Sequence, residues 1–250
     1  MKRHMVLALT LAVALASATP GLAQTAVVPG ALTATEGNSG FGVSPGLLLT
    51  YQQVYAGALL GALPSNVLLT GMTMRVDGGF ATGPAVVMSF ANFDIRLGTS
   101  LNGPGALSPT VAANFGPDTT LVRSGALTFP INSFPGGAAP NAFGPMIPFS
   151  TPYLYTGAGS LLVTVTHTDG GSSLNWDGQD AGLVTGLAQY RQAVGVYNSP
   201  TTDQNFPTFS MIWQFQFTAV PEPSVLALCG VALIGGGLAR KRLGAWLQRQ

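Results

Sequence analysis

The sequence predicts an all-β fold, an antiparallel β-sandwich of jelly-roll type, formed by one domain of residues 24–219. Three observations lead to this prediction. Hydrophobic periodicity in this region is almost entirely of period two. Gly and Pro are abundant, at 33 and 18 residues, and they cluster between the periodic runs. No stretch of the domain shows a long helical pattern. One sheet closed on itself is the alternative, and no repeat of fixed period points to a propeller.

The composition excludes several classes of function. Charged residues make up 8% of the 250 and the formal net charge is +1, so the chain offers no basic surface and we expect no nucleic-acid partner. A hydrophobic content of 47% argues against disorder. The single cysteine, Cys229, lies in an apolar run near the C-terminus. The β domain therefore has neither an internal disulfide nor a thiol nucleophile.

The clearest strand covers residues 208–217, where five large apolar side chains alternate with smaller or polar ones and fall on one face. The five are Phe209, Met211, Trp213, Phe215 and Phe217. The same alternation predicts strands at Leu161, Val163 and Val165, at Leu68, Met72, Met74 and Val76, and at Phe93, Ile95 and Leu97. Weaker strand candidates are 47–55, 86–90, 119–129 and 193–197, and 183–192 is a candidate short helix.

The first 23 residues have the three-part layout of a secretory signal peptide. Two positive charges, Lys2 and Arg3, precede an apolar stretch, and a small-x-small triplet ends at Ala23. We expect cleavage between Ala23 and Gln24, with cleavage after Ala18 as the alternative. An uncleaved membrane anchor fits less well, because the apolar run is short for a bilayer. The predicted partners are the Sec export machinery and signal peptidase.

The C-terminal residues 220–250 have three parts in a fixed order: a Pro-Glu-Pro motif in 220–224, an apolar segment at 225–239, and a basic tail at 240–250. As a transmembrane helix, the apolar segment would span about 22 Å against roughly 30 Å of hydrocarbon, so it needs its flanks to cross. Clustered positive charge stays cytoplasmic, which places the β domain across the membrane. The motif and the basic cluster consist of Val220, Pro221, Glu222, Pro223, Ser224, Arg240, Lys241 and Arg242.

This tripartite tail resembles the PEP-CTERM sorting signal, and the resemblance covers residues 220–250. It implies processing by exosortase, a membrane-embedded cysteine protease or transpeptidase of Gram-negative bacteria that make exopolysaccharide. It also implies that Pro221, Glu222 and Pro223 are read by that enzyme, after transient anchoring in the inner membrane, and that the product is then released or attached at the cell surface. Both prolines disfavour helix and leave an extended segment that a protease can bind. A plain single-pass anchor is the alternative.

Candidate catalytic residues are scarce. His167 is the one histidine beyond the signal peptide, and it continues the apolar phase of its strand, so we expect a buried structural histidine. A Gly-x-Ser-x-Gly pattern occurs once, at residues 42–46, but no predicted strand precedes it and no predicted helix follows it, as a nucleophile elbow requires. Glu36 is the lone glutamate between residues 24 and 219, and no pattern pairs two carboxylates for glycoside hydrolysis. We predict no catalytic residues and a non-enzymatic protein, with an unrecognised hydrolase as the least favoured alternative.

The most polar segment is 167–180, which carries several carboxylate and amide oxygens of the kind that calcium prefers. Its spacing does not fit an EF-hand and Asp-Gly pairs are ordinary turn formers, so we predict no cofactor, with calcium as the alternative. Trp176 is either an exposed ring that stacks on a sugar or a side chain that pins this segment to the core. The candidate ligand residues are Asp169, Asn175, Trp176, Asp177 and Asp180.

These observations favour an exported, non-enzymatic protein of the cell surface or extracellular matrix. The alternative is a module that binds exopolysaccharide, assisted by calcium in the 167–180 segment. The arginines of the β domain are expected to pair with aspartates on the outer faces of the sheets and to contribute little. These are Arg75, Arg96, Arg123 and Arg191, with Asp77 and Asp94 as the expected partners.

Overall fold

The computed structural model describes residues 22–41, 46–172, 174, 176–179 and 186–220. Within them the chain is all-β, as predicted, and its regular structure consists of antiparallel strands and three short 3-10 helices. The helices are Gly30–Leu32, Gly57–Leu59 and Val111–Asn114. The strands are β1 (Gln24–Val28), β2 (Ser39–Phe41), β3 (Leu49–Tyr55), β4 (Val67–Met74), β5 (Met88–Phe90), β6 (Phe93–Thr99), β7 (Thr120–Arg123), β8 (Leu127–Phe129), β9 (Ile147–Tyr155), β10 (Leu161–His167), β11 (Trp176–Gln179), β12 (Ala188–Val194), β13 (Gln204–Phe206), β14 (Ser210–Met211) and β15 (Trp213–Ala219).

Residues Ala23–Thr218 form one compact unit. The predicted signal peptide, apart from its last two residues, and the tail after Val220 lie outside the described residues. In the part of the chain that is described, no helix has the length and apolar character needed to cross a membrane.

Two large sheets share one hydrophobic core. The four-stranded sheet has the order β1-β15-β4-β9, and the six-stranded sheet has the order β13-β12-β3-β10-β6-β7. Phe215 and Leu69 of the first sheet and Ile95 and Val163 of the second are fully buried in the same cluster. The alternation along each strand places one apolar face of each sheet in this core, which is the arrangement of a sandwich. Two smaller sheets, β14-β11-β2 and β5-β8, complete the described part.

The strongest sequence pattern is confirmed, with one interruption. All five large apolar residues of 209–217 are buried in the core, but Ile212 separates β14 from β15. Met211 pairs with Gly178, whereas Trp213 pairs with Val28. The break lets consecutive residues serve two sheets, while Ile212 packs in a separate cluster with Val27 and Leu32.

The predicted face of β4 is wrong in its first half. Leu68 was expected to point inward with Met72 and Met74, but Val67 and Leu69 are the buried residues there. The register against β9 shifts between Leu69 and Gly71, as in a β-bulge. One extra residue reverses the inward phase of a strand, so period-two counting fails across a bulge.

Two further differences concern β12 and β9. The candidate helix at 183–192 is wrong for its described part, because Ala188–Val194 is a strand paired to β3 on one side and β13 on the other. Strand β9 was not predicted, since it contains Pro148 and Pro152. It is the edge strand of its sheet, where proline is tolerated because one row of N–H groups needs no ladder partner.

The outer face of the six-stranded sheet is covered, which was also not predicted. Leu107 and the partly buried Phe115 pack on Val54 and Leu162 of that face. Asn114 is fully buried there, and its side-chain amide donates to Gln52 Oε1 at 2.7 Å and to the carbonyl of Ser108 at 2.9 Å. Strands β3 and β10 are therefore buried on both faces.

Candidate functional site

The structure describes three of the five candidate ligand residues, Asp169, Trp176 and Asp177, and places them in different surroundings. Asp169 is exposed, and its Oδ1 accepts a hydrogen bond from the Gly171 N–H at 2.7 Å, as in an ordinary Asx turn. Trp176 is only 3% exposed, and its ring meets that of Phe134 edge to face at 4.9 Å. It therefore packs in the core, the second of the two interpretations, and offers no open face for a sugar. Asn175 and Asp180 lie outside the described residues.

Asp177 forms a buried ion pair with Arg75. Arg75 Nε lies 2.6 Å from Asp177 Oδ2, and the two side chains are 1% and 0% exposed. The backbone N–H of Gly37 donates to the Asp177 carboxylate at 3.0 Å, and Arg75 Nη2 donates to the Thr35 carbonyl at 2.7 Å. The expectation that Arg75 pairs on an outer face is therefore wrong.

Local backbone pairing holds the two charges in register. Val76 forms a β-bridge with Trp176, and the Asp177 N–H donates to the Arg75 carbonyl at 3.0 Å. The polar residues that follow β4 and begin β11 are thus fixed side by side. A buried carboxylate needs such a partner, because desolvation without one costs several kcal/mol.

Two more carboxylates adjoin this pair. Glu36, Asp77 and Asp177 each offer an oxygen, and these oxygens all lie within 4.8 Å of one another. Burial raises the pKa of Glu36, and the charge of Asp177 adds to that effect, although a hydrogen bond from the Gly78 N–H opposes it. Burial and Asp177 likewise raise the pKa of Asp77. We call Glu36, Arg75, Asp77 and Asp177 the acidic cluster.

In the acidic cluster three carboxylates surround one guanidinium. It supplies three carboxylates, whereas calcium takes about six to eight oxygens. One of the three is already bound by a guanidinium. Among the described residues it is the one group of three acidic or metal-ligating side chains close enough to share an ion, and Asp169 is not part of it.

His167 is buried as predicted, at 2% exposure. Its ring stacks on Phe93 with centroids 5.4 Å apart, and Nδ1 lies 2.8 Å from the Thr168 carbonyl. Burial lowers the pKa of His167, opposed in part by this carbonyl and by the charge of Asp169. A small cavity of about 20 Å³ adjoins the ring, and it is lined mainly by aromatic side chains.

The outer face of the six-stranded sheet carries a larger cleft, of about 300 Å³. Its floor is formed by Thr50, Thr164 and Thr166 of β3 and β10, with Arg96 of β6 beside them. Its walls are residues 110–115 and 198–200. We call this space the Arg96 cleft. Sequence reasoning missed it because its polar groups come from five separate segments, each of which reads as ordinary strand or loop.

The two walls are fixed to each other and to the floor. The Val111 N–H donates to the Pro200 carbonyl at 2.9 Å. The N–H groups of Asn198 and Ser199 donate to the hydroxyls of Thr166 and Thr50, at 2.6 and 2.9 Å. These bonds set the shape of the cleft without using the Arg96 side chain.

Comparison with models of known protein families, with curated proteins and with solved structures finds no match.

Proposed function

We propose that this chain is an exported, non-enzymatic protein of the cell surface or extracellular matrix, sorted through a PEP-CTERM tail. The observation that carries the proposal is the tripartite order of residues 220–250, which directly follows the last strand at Ala219. In this proposal the segment 225–239 anchors the precursor in the inner membrane of a Gram-negative bacterium. An exosortase-type protease then acts near Pro221, Glu222 and Pro223.

The burial of the ionisable groups supports the non-enzymatic part of the proposal. His167 is packed between aromatic rings, and Asp177 is neutralised by Arg75. General acid-base catalysis needs groups that can reach a substrate. Inside the fold, Asp177 is instead bound by Arg75, and His167 contacts the Thr168 carbonyl.

We further propose that the domain is a jelly roll. If β1, β3, β4, β6, β7, β9, β10 and β15 are numbered one to eight along the chain, the two large sheets read 1-8-3-6 and 2-7-4-5. This is the order of a jelly roll, with β12 and β13 added beside the second strand. Lectin domains are among the proteins that use this architecture, which favours polysaccharide binding as the second candidate function. That support is an analogy of fold.

The sorting proposal is tested by replacing Pro221 and Pro223 together with alanine. The full-length chain is produced in an exosortase-bearing host, and membrane and released fractions are compared by immunoblot. We expect the variant precursor to remain in the membrane fraction, while a control with Pro104→Ala, in a turn of the β domain, is processed normally. Equal release of the variant and the wild type would refute the sorting proposal.

The second candidate is tested by a pull-down of the full-length protein on exopolysaccharide, with calcium or with chelator. Because Arg75 already binds Asp177 and Asp169 lies in its own turn, we expect binding that is unaffected by chelator. Binding that is lost in chelator would restore the calcium hypothesis and direct attention to Asp180 and the rest of that segment.

A further inference from the structure

The Arg96 cleft has the size and preorganisation of a small-ligand site. A volume of about 300 Å³ lies at the lower end of the range for such sites, roughly 300 to 1,000 Å³. Its floor is a central part of a sheet, and its walls are hydrogen-bonded to that floor. A site on rigid elements loses little conformational entropy when it binds, so modest contacts give useful affinity.

Arg96 is the charged residue that lines this cleft. Its guanidinium donates no hydrogen bond to any residue that the structure describes, and it takes part in no ion pair there. The nearby Asp94 accepts no hydrogen bond from it: Oδ1 accepts from Ser124 Oγ at 2.7 Å, and Oδ2 accepts from Tyr197 Oη at 2.6 Å. A planar guanidinium with unused donors suits a carboxylate, which it can bind through two parallel hydrogen bonds.

Asp94 keeps its own charge within that arrangement. Burial alone would raise the pKa of Asp94, but its hydrogen bonds from Tyr197, Ser124 and Gly125 and the charge of Arg96 lower it. The carboxylate is thus held by donors other than Arg96. The guanidinium is left to face the cleft.

Two further polar groups in the cleft have hydrogen-bond donors with no partner among the described residues. The Thr164 hydroxyl is buried and accepts from Gln52 Nε2 at 3.1 Å, but its own proton has no acceptor among the described residues. The side-chain amide of Asn198 makes no hydrogen bond within the described part of the chain. Asn198 has a φ of 55°, which holds it in the left-handed region at the rim of the cleft. The half-buried Phe115 adds an apolar surface on the opposite wall.

We propose that the Arg96 cleft binds one sugar residue that carries a carboxylate, as in an acidic polysaccharide. Arg96 binds the carboxylate, Thr164 and Asn198 hydrogen-bond to the ring hydroxyls, and Phe115 covers the apolar edge of the ring. The cleft, at about 300 Å³, is larger than a lone oxyanion such as phosphate needs. This inference deepens the polysaccharide-binding candidate, and it replaces the 167–180 segment with a different site.

The experiment is isothermal titration of the full-length protein in detergent micelles with three probes. These are methyl β-glucuronide, methyl β-glucoside and inorganic phosphate. We expect the glucuronide to bind at least about tenfold more tightly than the glucoside, since a hydrogen bond to a charged group contributes about 1.5–3 kcal/mol. Equal affinity for the two sugars, tighter binding of phosphate, or no binding of the glucuronide up to 20 mM (about five times a weak 4 mM affinity) would each overturn the proposal.

Three variants locate the site. Arg96→Met should weaken glucuronide binding about tenfold or more and leave glucoside binding unchanged. The glucuronide affinity of Arg96→Lys should fall between those of Arg96→Met and the wild type. Thr164→Val should weaken the binding of both sugars, whereas the matched change at an exposed position, Thr128→Val, should not affect the binding of either. Asn198→Gly keeps the left-handed backbone and removes the amide, so it should weaken both sugars.

Near-UV circular dichroism of each variant must match the wild type, so that lost binding is not lost folding. Unchanged glucuronide affinity in Arg96→Met would refute the site. That result would not affect the sorting proposal, because processing is followed in the tail and binding in the β domain.

Discussion

Arg75 and Arg96 lie in nearly equivalent sequence settings and have opposite roles. Each is a polar residue at an alternating position, between Met74 and Val76 or between Ile95 and Leu97. Arg75 is 1% exposed and bound to Asp177, whereas Arg96 faces a cleft and donates no hydrogen bond to the described chain. The difference shows that the role of an arginine in or next to a strand depends on which sequence-distant segment packs against it.

Breaking the buried pair should give the largest effect on stability. Asp177→Asn keeps an acceptor for the Gly37 N–H but leaves the Arg75 guanidinium uncompensated in the interior. Loss of one partner of such a pair costs about 3–5 kcal/mol. We expect the free energy of unfolding in urea to fall by that amount in Asp177→Asn and in Arg75→Met.

The matched control is Arg96→Met, which removes the same type of side chain from the open site. We expect it to change the free energy of unfolding by no more than about 0.5 kcal/mol. The double variant of Arg75→Met with Asp177→Leu should lose less unfolding free energy than the sum of the losses in Arg75→Met alone and Asp177→Leu alone, because it removes both charges. Equal losses for the two arginine variants would contradict the distinction between the two sites.

The wall of the Arg96 cleft provides the next test. Asn114 holds residues 110–115 to the sheet through Gln52, and it accepts from the Ser108 N–H at 2.8 Å. Asn114→Ala leaves buried polar groups without partners, which costs about 1–3 kcal/mol each. We expect both the unfolding free energy and the glucuronide affinity to fall.

Asn198→Gly at the rim should lower affinity alone, and a parallel loss of stability there would show that the rim is structural.

The features that could be predicted from the sequence are those that depend on residues close together along the chain. Period-two counting found the inward faces of β6, β10 and β15, because that information is local. It failed at Leu68, where a bulge reverses the phase, and at β12, where pairing on both sides outweighs a helical pattern. The Arg75–Asp177 pair joins residues 102 positions apart, and the Gly37–Asp177 bond joins residues 140 apart. No local pattern contains such pairs, so the contacts of Asp177 with Arg75 and Gly37 could not be predicted from the 167–180 segment.

A third buried ionisable group, His167, sharpens the comparison through pH. Because burial holds the folded-state pKa below the ordinary value of about 6.5, the unfolded chain binds a proton before the folded one does. Stability from this group is fully present above pH 6.5 and is lost as the pH falls toward the folded-state pKa. We expect the unfolding midpoint of the wild type to drop between pH 7.5 and 5.5, relative to that of His167→Phe. Parallel pH profiles for the two proteins would show that the imidazole is not held neutral by the fold.

The smallest effect concerns the surplus of negative charge in the acidic cluster. Three carboxylates face one guanidinium, and Glu36 Oε2 is buried without a hydrogen-bond partner within the described structure. Glu36→Gln retains an oxygen for the Gly78 N–H and removes one negative charge. Because the folded-state pKa of Glu36 is raised, its ionised form is disfavoured by the fold at neutral pH, and the variant should be slightly more stable than the wild type at pH 7. This advantage should shrink as the pH falls through the raised folded-state pKa and should be gone below about 4.5, where the carboxyl is protonated in both the folded and the unfolded state. A variant less stable than the wild type at pH 7 would mean that Glu36 contributes attraction to Arg75 that outweighs its repulsion from Asp77 and Asp177. The balance of the cluster would then be set by the one buried cation, and the contrast with the unpaired Arg96 would be sharper still.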